Sequence, residues 1–459
     1  MEVLLDWMSA LVWGGDIRVM EEWPGLLIPL ILLGGLYLTI RLRGIQFTKL
    51  VRGLKLGLIT RKEEGAEGDI SHFQALMTAL AATIGNGNLA GVATAIFLGG
   101  PGAVFWMWMT GLVGICTKYA EAFLGVRFRV KAADGKQSGG PMTYLTEGVG
   151  GALGKFLGVF FAIAAAIAAF GIGNMVQSNS VATAIDSQFG LPTWLTGVVL
   201  TVLTGIVLFG GIKSIGRAAS ALVPTMGIFY VAAGLVVVVL NIADVPAALG
   251  LIFSDAFTGT AATGGFAGAA VRQAIQFGVA RGMFSNESGL GTGGIAAAAA
   301  QTTNPVRQAM VSMTQTFIDT IIVCSVTAVV IISTGAWDSG ETSTALTVLA
   351  FNEGLPGEWG GTVVVIASAL FAYSTLLGWG YFGERSVERL AGVRTIIPYR
   401  ILFVGAVYLG AVQEIEIVWT FSDVMNGLMA IPNMIGLFLL SGLIMRETRE
   451  YFREPHEVG

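Results

Sequence analysis

Apolar positions fall into long stretches that are separated by short polar segments. Eleven stretches reach the length of about 20 residues that an α-helix needs to cross a bilayer. They are 24–42, 72–99, 102–126, 155–183, 192–210, 217–241, 265–300, 307–334, 361–384, 395–413 and 418–445. This pattern predicts an all-α polytopic membrane protein with eleven transmembrane helices. The preceding segment, 1–23, is typical of an amphipathic helix on the outer membrane surface.

Basic residues orient the predicted helices, because short cytoplasmic loops of membrane proteins are rich in lysine and arginine. With the N-terminus outside, the inner loops and the tail 446–459 hold 22 of the 26 basic residues. The outer segments hold only Arg18 and carry acidic residues such as Asp244 and Glu353. We therefore expect a multi-pass protein of the cell membrane with its C-terminus in the cytoplasm.

Composition narrows the class of protein further. Only 12% of the residues are charged, against about 25% in a typical soluble domain, so lipid must be the solvent. The net charge of -4 argues against nucleic acid as a partner. Cys116 and Cys324 both lie in apolar stretches, which leaves no disulfide framework or metal-ligand spacing. No organic cofactor is expected, and a monomer is assumed.

Two predicted spans contain glycine and asparagine clusters that disfavour a continuous helix. The first cluster, Ala81–Asn88, holds two glycines and two asparagines, and the second is Gly278–Gly291, in a span of 36 residues. Glycine costs roughly 1 kcal/mol in a helix, and asparagine competes for backbone hydrogen bonds. Unwound backbone is tolerated in a bilayer only where it faces protein or a water-lined cavity. We therefore predict two discontinuous helices.

The two interrupted spans also resemble each other weakly. Segments 73–76 (FQAL) and 272–275 (RQAI) are 199 positions apart, and each precedes its cluster. The spans open two groups of five, 72–241 and 265–445, which run through the membrane in opposite directions. This arrangement predicts one additional N-terminal helix, 24–42, followed by a five-plus-five inverted repeat. Interrupted helices at corresponding positions of inverted halves indicate the binding site of a secondary transporter.

Unwound helices favour a particular ligand chemistry. Freed carbonyls can replace the water around a small hard cation, and the N-terminus of the next half-helix offers N–H groups to a carboxylate. A free amino acid presents a carboxylate to one end and an ammonium to nearby carbonyls. Carriers of nucleobases and sugars share the arrangement, so the pattern alone leaves those solutes open.

Several segments resemble the alanine or glycine:cation symporter family. They are Thr83–Ala93, 99–108 (GGPGAVFWMW), Gly139–Met142, Gly278–Gly291 and 371–379 (FAYSTLLGW). The resemblance implies sodium-driven uptake of a small neutral amino acid, alanine or glycine, and the fold of the leucine transporter superfamily. The chain departs from the family pattern at Asn86, where threonine is usual, and at Gly111, where a small non-glycine residue is usual. Asn86 bears on substrate preference or ion contacts, and Gly111 on packing.

The resemblance also implies the residues of two sites. The expected sodium ligands are the carbonyls of Ala81, Ile84 and Phe371 and the hydroxyls of Ser374 and Thr375. The expected substrate contacts are Asn86, Gly87, Gln177, Gln276, Phe277, Gly278 and Thr375. The N–H groups of Asn86 and Gly87 would meet the carboxylate, and carbonyls around Gln276 to Gly278 would meet the ammonium.

Each of these assignments has a purely structural alternative. Ser374 and Thr375 are also suited to hydrogen bonds with their own helix. Gln177 is equally suited to bonding a neighbouring helix, and Asn88 to clamping the first break.

Charged residues within the predicted spans need partners in a bilayer. We expect Arg281, Glu287 and Asp319 to pair internally and brace the second broken helix, and Lys118 to pair with Glu121. A proton relay through Glu287 or Asp319 would make the proton the coupling ion. The alternative function is therefore a proton-coupled symporter of another small amino acid or related solute on the same fold.

Two other classes fit the sequence poorly. A membrane-embedded protease needs a serine–histidine or two-aspartate arrangement, but His72 lies at a membrane boundary and no second aspartate motif accompanies Asp319. An ion channel commonly uses a symmetric filter or charged rings, whereas this chain has a single asymmetric site. The protein is not expected to be an enzyme.

Overall fold

The computed structural model describes residues 2–17, 20–23, 25–61, 63, 65–258, 267–357, 359–413 and 416–453, and this part of the chain is mainly helical. The first helices are α1 Glu2–Trp13, α2 Leu27–Arg41, α3 Ile45–Thr48, α4 Leu50–Leu54, α5 His72–Thr83, α6 Ala90–Gly99, α7 Gly102–Arg127, α8 Pro141–Tyr144, α9 Gly151–Phe170, α10 Val176–Phe189 and α11 Thr193–Phe209. The others are α12 Gly211–Leu240, α13 Val245–Thr258, α14 Ala267–Asn286, α15 Thr292–Ala298, α16 Pro305–Thr316, α17 Ser325–Ser333, α18 Ser343–Gly354, α19 Gly360–Ala391, α20 Ile396–Val412 and α21 Glu416–Arg453. Two antiparallel hairpins pair β1 Gly15–Ile17 with β2 Met20–Trp23 and β3 Val130–Lys131 with β4 Gln137–Ser138.

Among the described residues, six helical stretches are long and apolar enough to cross a membrane. They are Gly151–Phe189, Gly211–Leu240, Pro305–Ser333, Gly360–Ala391, Val393–Val412 and Phe421–Arg453. A seventh is added if α5 and Asn86–Gly99, which are bent by 61° at a short break, form one span. The chain is therefore a helical multi-pass membrane protein. Each of the eleven predicted stretches lies largely on helix, but the count of eleven spans stays a prediction.

The N-terminal segment differs from the expected single amphipathic helix. Helix α1 ends at Trp13, and Gly14 then adopts a φ of 103°, a conformation that favours glycine and ends the helix. A hairpin follows. Trp13 Nε1 donates a 3.0 Å hydrogen bond to the carbonyl of Asp423 in α21, so the end of α1 packs against the helical body.

Two helices lie where the sequence interpretation placed outer loops. They are α13 and α18, of 14 and 12 residues. Both are too short to cross a bilayer, so a search for apolar stretches of about 20 residues passes over them. Helix α13 packs on α7, where the rings of Phe105 and Phe257 lie 5.0 Å apart between centroids.

Helix α7 contacts many of the other helices, and its glycines let them approach closely. A Cβ atom added at Gly111 would lie 2.9 Å from Thr320 Cγ2, and one at Gly125 would lie 2.3 Å from the carbonyl oxygen of Gly294. Such close approach of backbones is typical of membrane helices. Gly111 thus has a packing role, as expected. Helices α14 and α16 pack directly against this helix.

Candidate functional site

The first break divides the predicted span 72–99, as expected. Helix α5 ends at Thr83, and residues Asn86–Asn88 form a single 3₁₀ turn before α6. Asn88 Oδ1 accepts a 2.9 Å hydrogen bond from the N–H of Gly85. Because Gly85 would otherwise donate to Ala81, four residues earlier, this contact frees the Ala81 carbonyl. Asn88 therefore acts as the clamp of the break.

The five oxygen atoms expected to bind sodium lie together. Ser374 Oγ is 3.0 Å from the Ala81 carbonyl oxygen and 3.2 Å from that of Ile84. The Phe371 carbonyl oxygen is 2.8 Å from Ser374 Oγ and 3.0 Å from Thr375 Oγ1. Both hydroxyls bond to their own helix, as the structural alternative expects. Ser374 in addition reaches across to the end of α5.

This donor set suits a small hard cation. It consists of three backbone carbonyls and two hydroxyls, and neutral oxygens at a helix break are the ligands that sodium-coupled carriers use. All five residues are buried, so an ion here would be shielded from bulk water. The arrangement can exchange hydroxyl-to-carbonyl hydrogen bonds for ion contacts without a large movement of the backbone.

Asn86 lies beside the oxygen cluster and is paired on one side only. Its Oδ1 accepts a 2.8 Å hydrogen bond from the hydroxyl of Ser368 in α19. Its Nδ2 is buried and has no hydrogen-bond partner among the described residues. A buried amide donor without a partner costs free energy unless a ligand accepts from it. Asn86 therefore offers an N–H donor to a bound acceptor such as a carboxylate.

In the described part of the chain, Gln177 has an unpaired acceptor, whereas Asn86 has an unpaired donor. A π-helical segment, Gly171–Met175, precedes α10, and Gln177 Nε2 donates a 3.0 Å hydrogen bond to the carbonyl of Ile172 within it. Gln177 Oε1 is buried and has no partner among the described residues. The side chain thus presents an acceptor, which is the group that an ammonium needs.

Gly85 lies between the oxygen cluster and Gln177. A Cβ atom added there would lie 2.5 Å from Thr375 Oγ1 and 3.7 Å from Gln177 Oε1. The space beside Gly85 is therefore bordered by the oxygen cluster and by the free acceptor of Gln177. A side chain at this position would fill it.

The second break is later in the chain than the sequence analysis expected. Helix α14 is continuous to Asn286, and the unwound part is 287–291. Gln276, Phe277 and Gly278 lie inside α14 and away from the break, so their carbonyls belong to helical backbone. Gly278 serves packing, since a Cβ atom there would lie 2.3 Å from the carbonyl oxygen of Ala103 in α7.

Two buried carboxylates hold the second break in place. Glu121 Oε1 accepts hydrogen bonds from the N–H groups of Gly289 (2.8 Å) and Gly291 (3.0 Å). Glu287 accepts from the indole of Trp379 (2.8 Å) and the hydroxyl of Thr292 (2.6 Å). The bonds to Glu121 satisfy unwound backbone that cannot bond within a helix, and those to Glu287 tie the break to α19 and α15.

The expected partners of the charged residues are only partly observed. Lys118 lies 3.5 Å from Glu121, as expected, and also donates to the carbonyl of Glu287 at 3.0 Å. Arg281 pairs with Asp423 of α21 at 3.8 Å, so the expected bracing pair with Glu287 or Asp319 is wrong. The Arg281 side chain instead faces α21, the neighbouring helix that carries Asp423.

Asp319 connects the two breaks. Its carboxylate accepts from Asn88 Nδ2 at 2.7 Å in the first break and from Ser285 Oγ at 2.9 Å near the second. The first break also packs against the end of α14, since a Cβ atom at Gly87 would lie 3.1 Å from Phe284 Cδ1. Asp319 thus joins the first break to the end of α14 that precedes the second break.

A cavity of about 330 Å³ adjoins Asn86. It is also lined by Phe284, Arg281 and Asp423, so the ion pair between α14 and α21 lies along its wall. The cavity therefore borders the first break.

On the opposite side, the ends of the two broken helices are tied together. The Ala299 carbonyl accepts from the N–H groups of Asp69 (2.8 Å) and Ile70 (3.1 Å). Arg129 donates to four carbonyls, including those of Ala300 at 2.7 Å and Glu67 at 3.0 Å. These contacts, together with the ion pair of Glu63 and Arg307 at 2.9 Å, form what we call the clasp.

Comparisons with known proteins show the family to which the chain belongs. A model of the sodium:alanine symporter family matches residues 15–458. The sodium/alanine symporter AgcS of Methanococcus maripaludis is 50% identical over 98% of this chain and 96% of its own length. The probable sodium/glutamine symporter GlnT of Bacillus subtilis is 35% identical over 94% of this chain and 89% of its own.

The fold is similar to that of MhsT, which was crystallised in complex with L-phenylalanine. The TM-score is 0.56 at 14% identity, over 84% of this chain and 99% of the MhsT chain. The helical fold, the family match and the relatives define a membrane transporter, not an enzyme. The chain belongs to the sodium:alanine symporter family. It is a sodium-coupled amino-acid symporter, and its substrate is a small amino acid.

Ser368, which bonds to Asn86, was not predicted as a functional residue. A signal was present, because Ser368 and Thr375 are seven residues apart on an apolar helix and so lie on one face. Asp423, the partner of Arg281, was not predicted either. That pairing joins residues far apart in the chain, and nothing in their local sequence indicates it.

Proposed function

We propose that the protein carries alanine or glycine into the cell together with sodium by alternating access. The observation that supports this most directly is the complementary pair of free groups, the Asn86 Nδ2 donor and the Gln177 Oε1 acceptor. A zwitterionic amino acid satisfies both, with its carboxylate at Asn86 and its ammonium at Gln177. The 50% identical relative is a sodium/alanine symporter, which favours alanine.

In this proposal Asn86, Gly87, Gln177 and Thr375 contact the substrate. Sodium binds to the carbonyls of Ala81, Ile84 and Phe371 and to the hydroxyls of Ser374 and Thr375. The helical carbonyls of Gln276, Phe277 and Gly278 are not retained as ammonium ligands, because unwound backbone begins only at Glu287. Sodium placed beside Thr375 would stabilise the bound carboxylate across the space at Gly85, which couples the two ligands.

The proposal retains eleven spans, an inverted repeat of 72–241 and 265–445, and an N-terminus outside the cell. Its support is the basic character of the predicted inner loops and the contact between the two broken helices. Both native cysteines are buried, so single exposed cysteines can report orientation. In intact cells an impermeant maleimide should label Ser339→Cys and spare Asp134→Cys. The reverse pattern would contradict the orientation.

Uptake into proteoliposomes tests the function. Labelled alanine, glycine and glutamine are offered in turn under an inward gradient of sodium, of lithium or of protons. We expect sodium to drive the uptake of alanine or glycine. Preferential uptake of glutamine would reassign the substrate, and uptake driven only by protons would favour the alternative coupling ion.

A further inference from the structure

A basic cavity lies away from the transport site, where the first and last long helices end together. It has a volume of about 430 Å³ and is bordered by the ends of α2 and α21 and by the short helix α3. Five of its lining side chains are basic, and none is acidic. The five are Arg41, Arg43, Lys49, Arg449 and Arg453.

The local backbone assembles this cavity. Arg43 and Gly44 both adopt left-handed conformations, with φ of 55° and 65°, and the Gly44 N–H bonds to the Thr39 carbonyl at 2.8 Å. This turn ends α2 and redirects the chain into α3. The side chains that follow α2 are thereby placed opposite the last turns of α21.

The described part of the chain does not neutralise the positive charges of the cavity. Among the described residues, no carboxylate lies within ion-pair distance of any of the five, whereas nearby Arg127 is paired with Glu447 at 3.1 Å. Arg41 Nε is buried without a hydrogen-bond partner. Lys49 instead lies over the ring of Phe452, with its Nζ 4.6 Å from the centroid. This contact leaves its N–H donors available.

The cavity opens at a boundary between lipid and water. The apolar helix α2 ends at Arg41, so the cavity lies at the level where a membrane helix meets headgroups. Three apolar side chains of the same segment are largely exposed, namely Ile40 (68%), Phe47 (68%) and Val51 (79%). Acyl chains would cover them, whereas a soluble anion would leave them uncovered.

We propose that this cavity binds the phosphate headgroup of an anionic phospholipid, whose acyl chains lie over Ile40, Phe47 and Val51. Basic pockets between membrane helices recognise such headgroups through charge and N–H donors. Helices α2 and α21 already pack together, with Tyr37 OH 3.0 Å from Ser441 Oγ. The bound lipid adds a bridge between their basic ends and reduces the repulsion between the cations there. The site is independent of the proposed amino-acid site.

The test compares lipids of different charge on the delipidated full-length protein in detergent. Retained lipid is counted by native mass spectrometry, and the thermal midpoint is measured with added phosphatidylglycerol, phosphatidylcholine or inorganic phosphate. We expect phosphatidylglycerol to be retained and to raise the midpoint, and the other two to do neither. Equal effects of both phospholipids would overturn the charge recognition. An equal effect of inorganic phosphate would overturn the lipid in favour of a soluble anion.

A charge-removal variant locates the effect. Arg43, Arg449 and Arg453 are exposed, so their combined replacement by Gln should leave the fold intact. The matched control replaces three exposed basic residues elsewhere, Lys155→Gln, Lys213→Gln and Arg394→Gln. Apparent affinity for phosphatidylglycerol should fall about fivefold for each charge removed from the cavity and stay unchanged in the control. Equal losses in both variants would overturn the site.

Discussion

The hydroxyl of Ser368 donates a 2.8 Å hydrogen bond to Asn86 Oδ1. This bond joins α19, which carries three of the proposed sodium ligands, to the first break in the chain. It also fixes the Asn86 side chain so that Nδ2 is the atom left without a partner. Ser368 therefore positions Asn86 without being among the proposed substrate contacts.

Ser368→Ala should weaken substrate binding through Asn86. Loss of one hydrogen bond is worth about 1 kcal/mol, or about fivefold in affinity. We expect KM for alanine uptake to rise by that factor, with little change in maximal rate. The matched control is Ser386→Ala, because Ser386 is buried in the same helix and, among the described residues, its hydroxyl bonds only to the Phe382 carbonyl at 2.9 Å. Equal KM values in the two variants would remove Ser368 from this role.

Sequence patterns predicted the first break well because its causes are local. Asn88 bonds to the N–H of Gly85, three residues away, so the cluster itself disrupts the helix. The glycines at 278 and 282 look similar in sequence but lie in unbroken helix against α7. Whether a glycine breaks a helix or lets a neighbouring helix approach closely depends on which helix packs against it. A single sequence does not identify that neighbouring helix.

Ion pairs also differ in whether the local sequence predicts them. Lys118 and Glu121 are one helical turn apart, and their pairing followed from that spacing. Arg281 and Asp423 are 142 positions apart and meet only through the packing of α14 on α21. The sodium ligands were placed by family resemblance, because no local pattern brings Ala81 to Ser374.

Thr375→Ala should weaken the dependence of uptake on sodium. A hydrogen bond or ion contact that involves charge is worth about 1.5–3 kcal/mol, so the half-saturating sodium concentration should rise about tenfold or more. Maximal uptake at saturating sodium should change less. Thr334→Ala is the control, since Thr334 makes the same type of bond to its own helix, at 2.8 Å to Val330, away from the site. Unchanged sodium activation would remove Thr375 from the ion site.

Gly278→Ala should destabilise the protein by overpacking. The new methyl group would lie 2.3 Å from the carbonyl oxygen of Ala103 and 2.9 Å from Trp106 Cβ. Such overpacking costs about 1–3 kcal/mol, so the thermal midpoint in detergent should fall. Gly405→Ala, in α20, is the matched control, because a Cβ atom added at Gly405 would have no neighbouring atom within 4 Å in the described part of the chain. A midpoint for Gly278→Ala equal to that of the control would show that α14 is not held tightly against α7.

The contribution of the clasp to the stability of the folded protein should depend on pH through Glu63. This carboxylate contacts Thr303 and lies 2.9 Å from Arg307 and 3.5 Å from His72. Partial burial raises the pKa of Glu63, but the hydrogen bonds from Thr303 and the charges of Arg307 and His72 lower it more, and the net shift is downward from 4.5.

A lowered pKa means that Glu63 stabilises the folded state above its ordinary pKa and that this contribution is lost as pH falls through the shifted value. The thermal midpoint of the wild type should therefore exceed that of Glu63→Gln near neutral pH, and the difference should shrink below pH 4.5. Glu341→Gln, at an exposed position, is the control and should differ from the wild type at neither pH. A difference between wild type and Glu63→Gln that persists undiminished in acid would show that the charge of Glu63 does not hold the clasp. The variant tests the ion pairs and hydrogen bonds of the Glu63 carboxylate, since the backbone bonds from Asp69 and Ile70 to Ala299 remain in it.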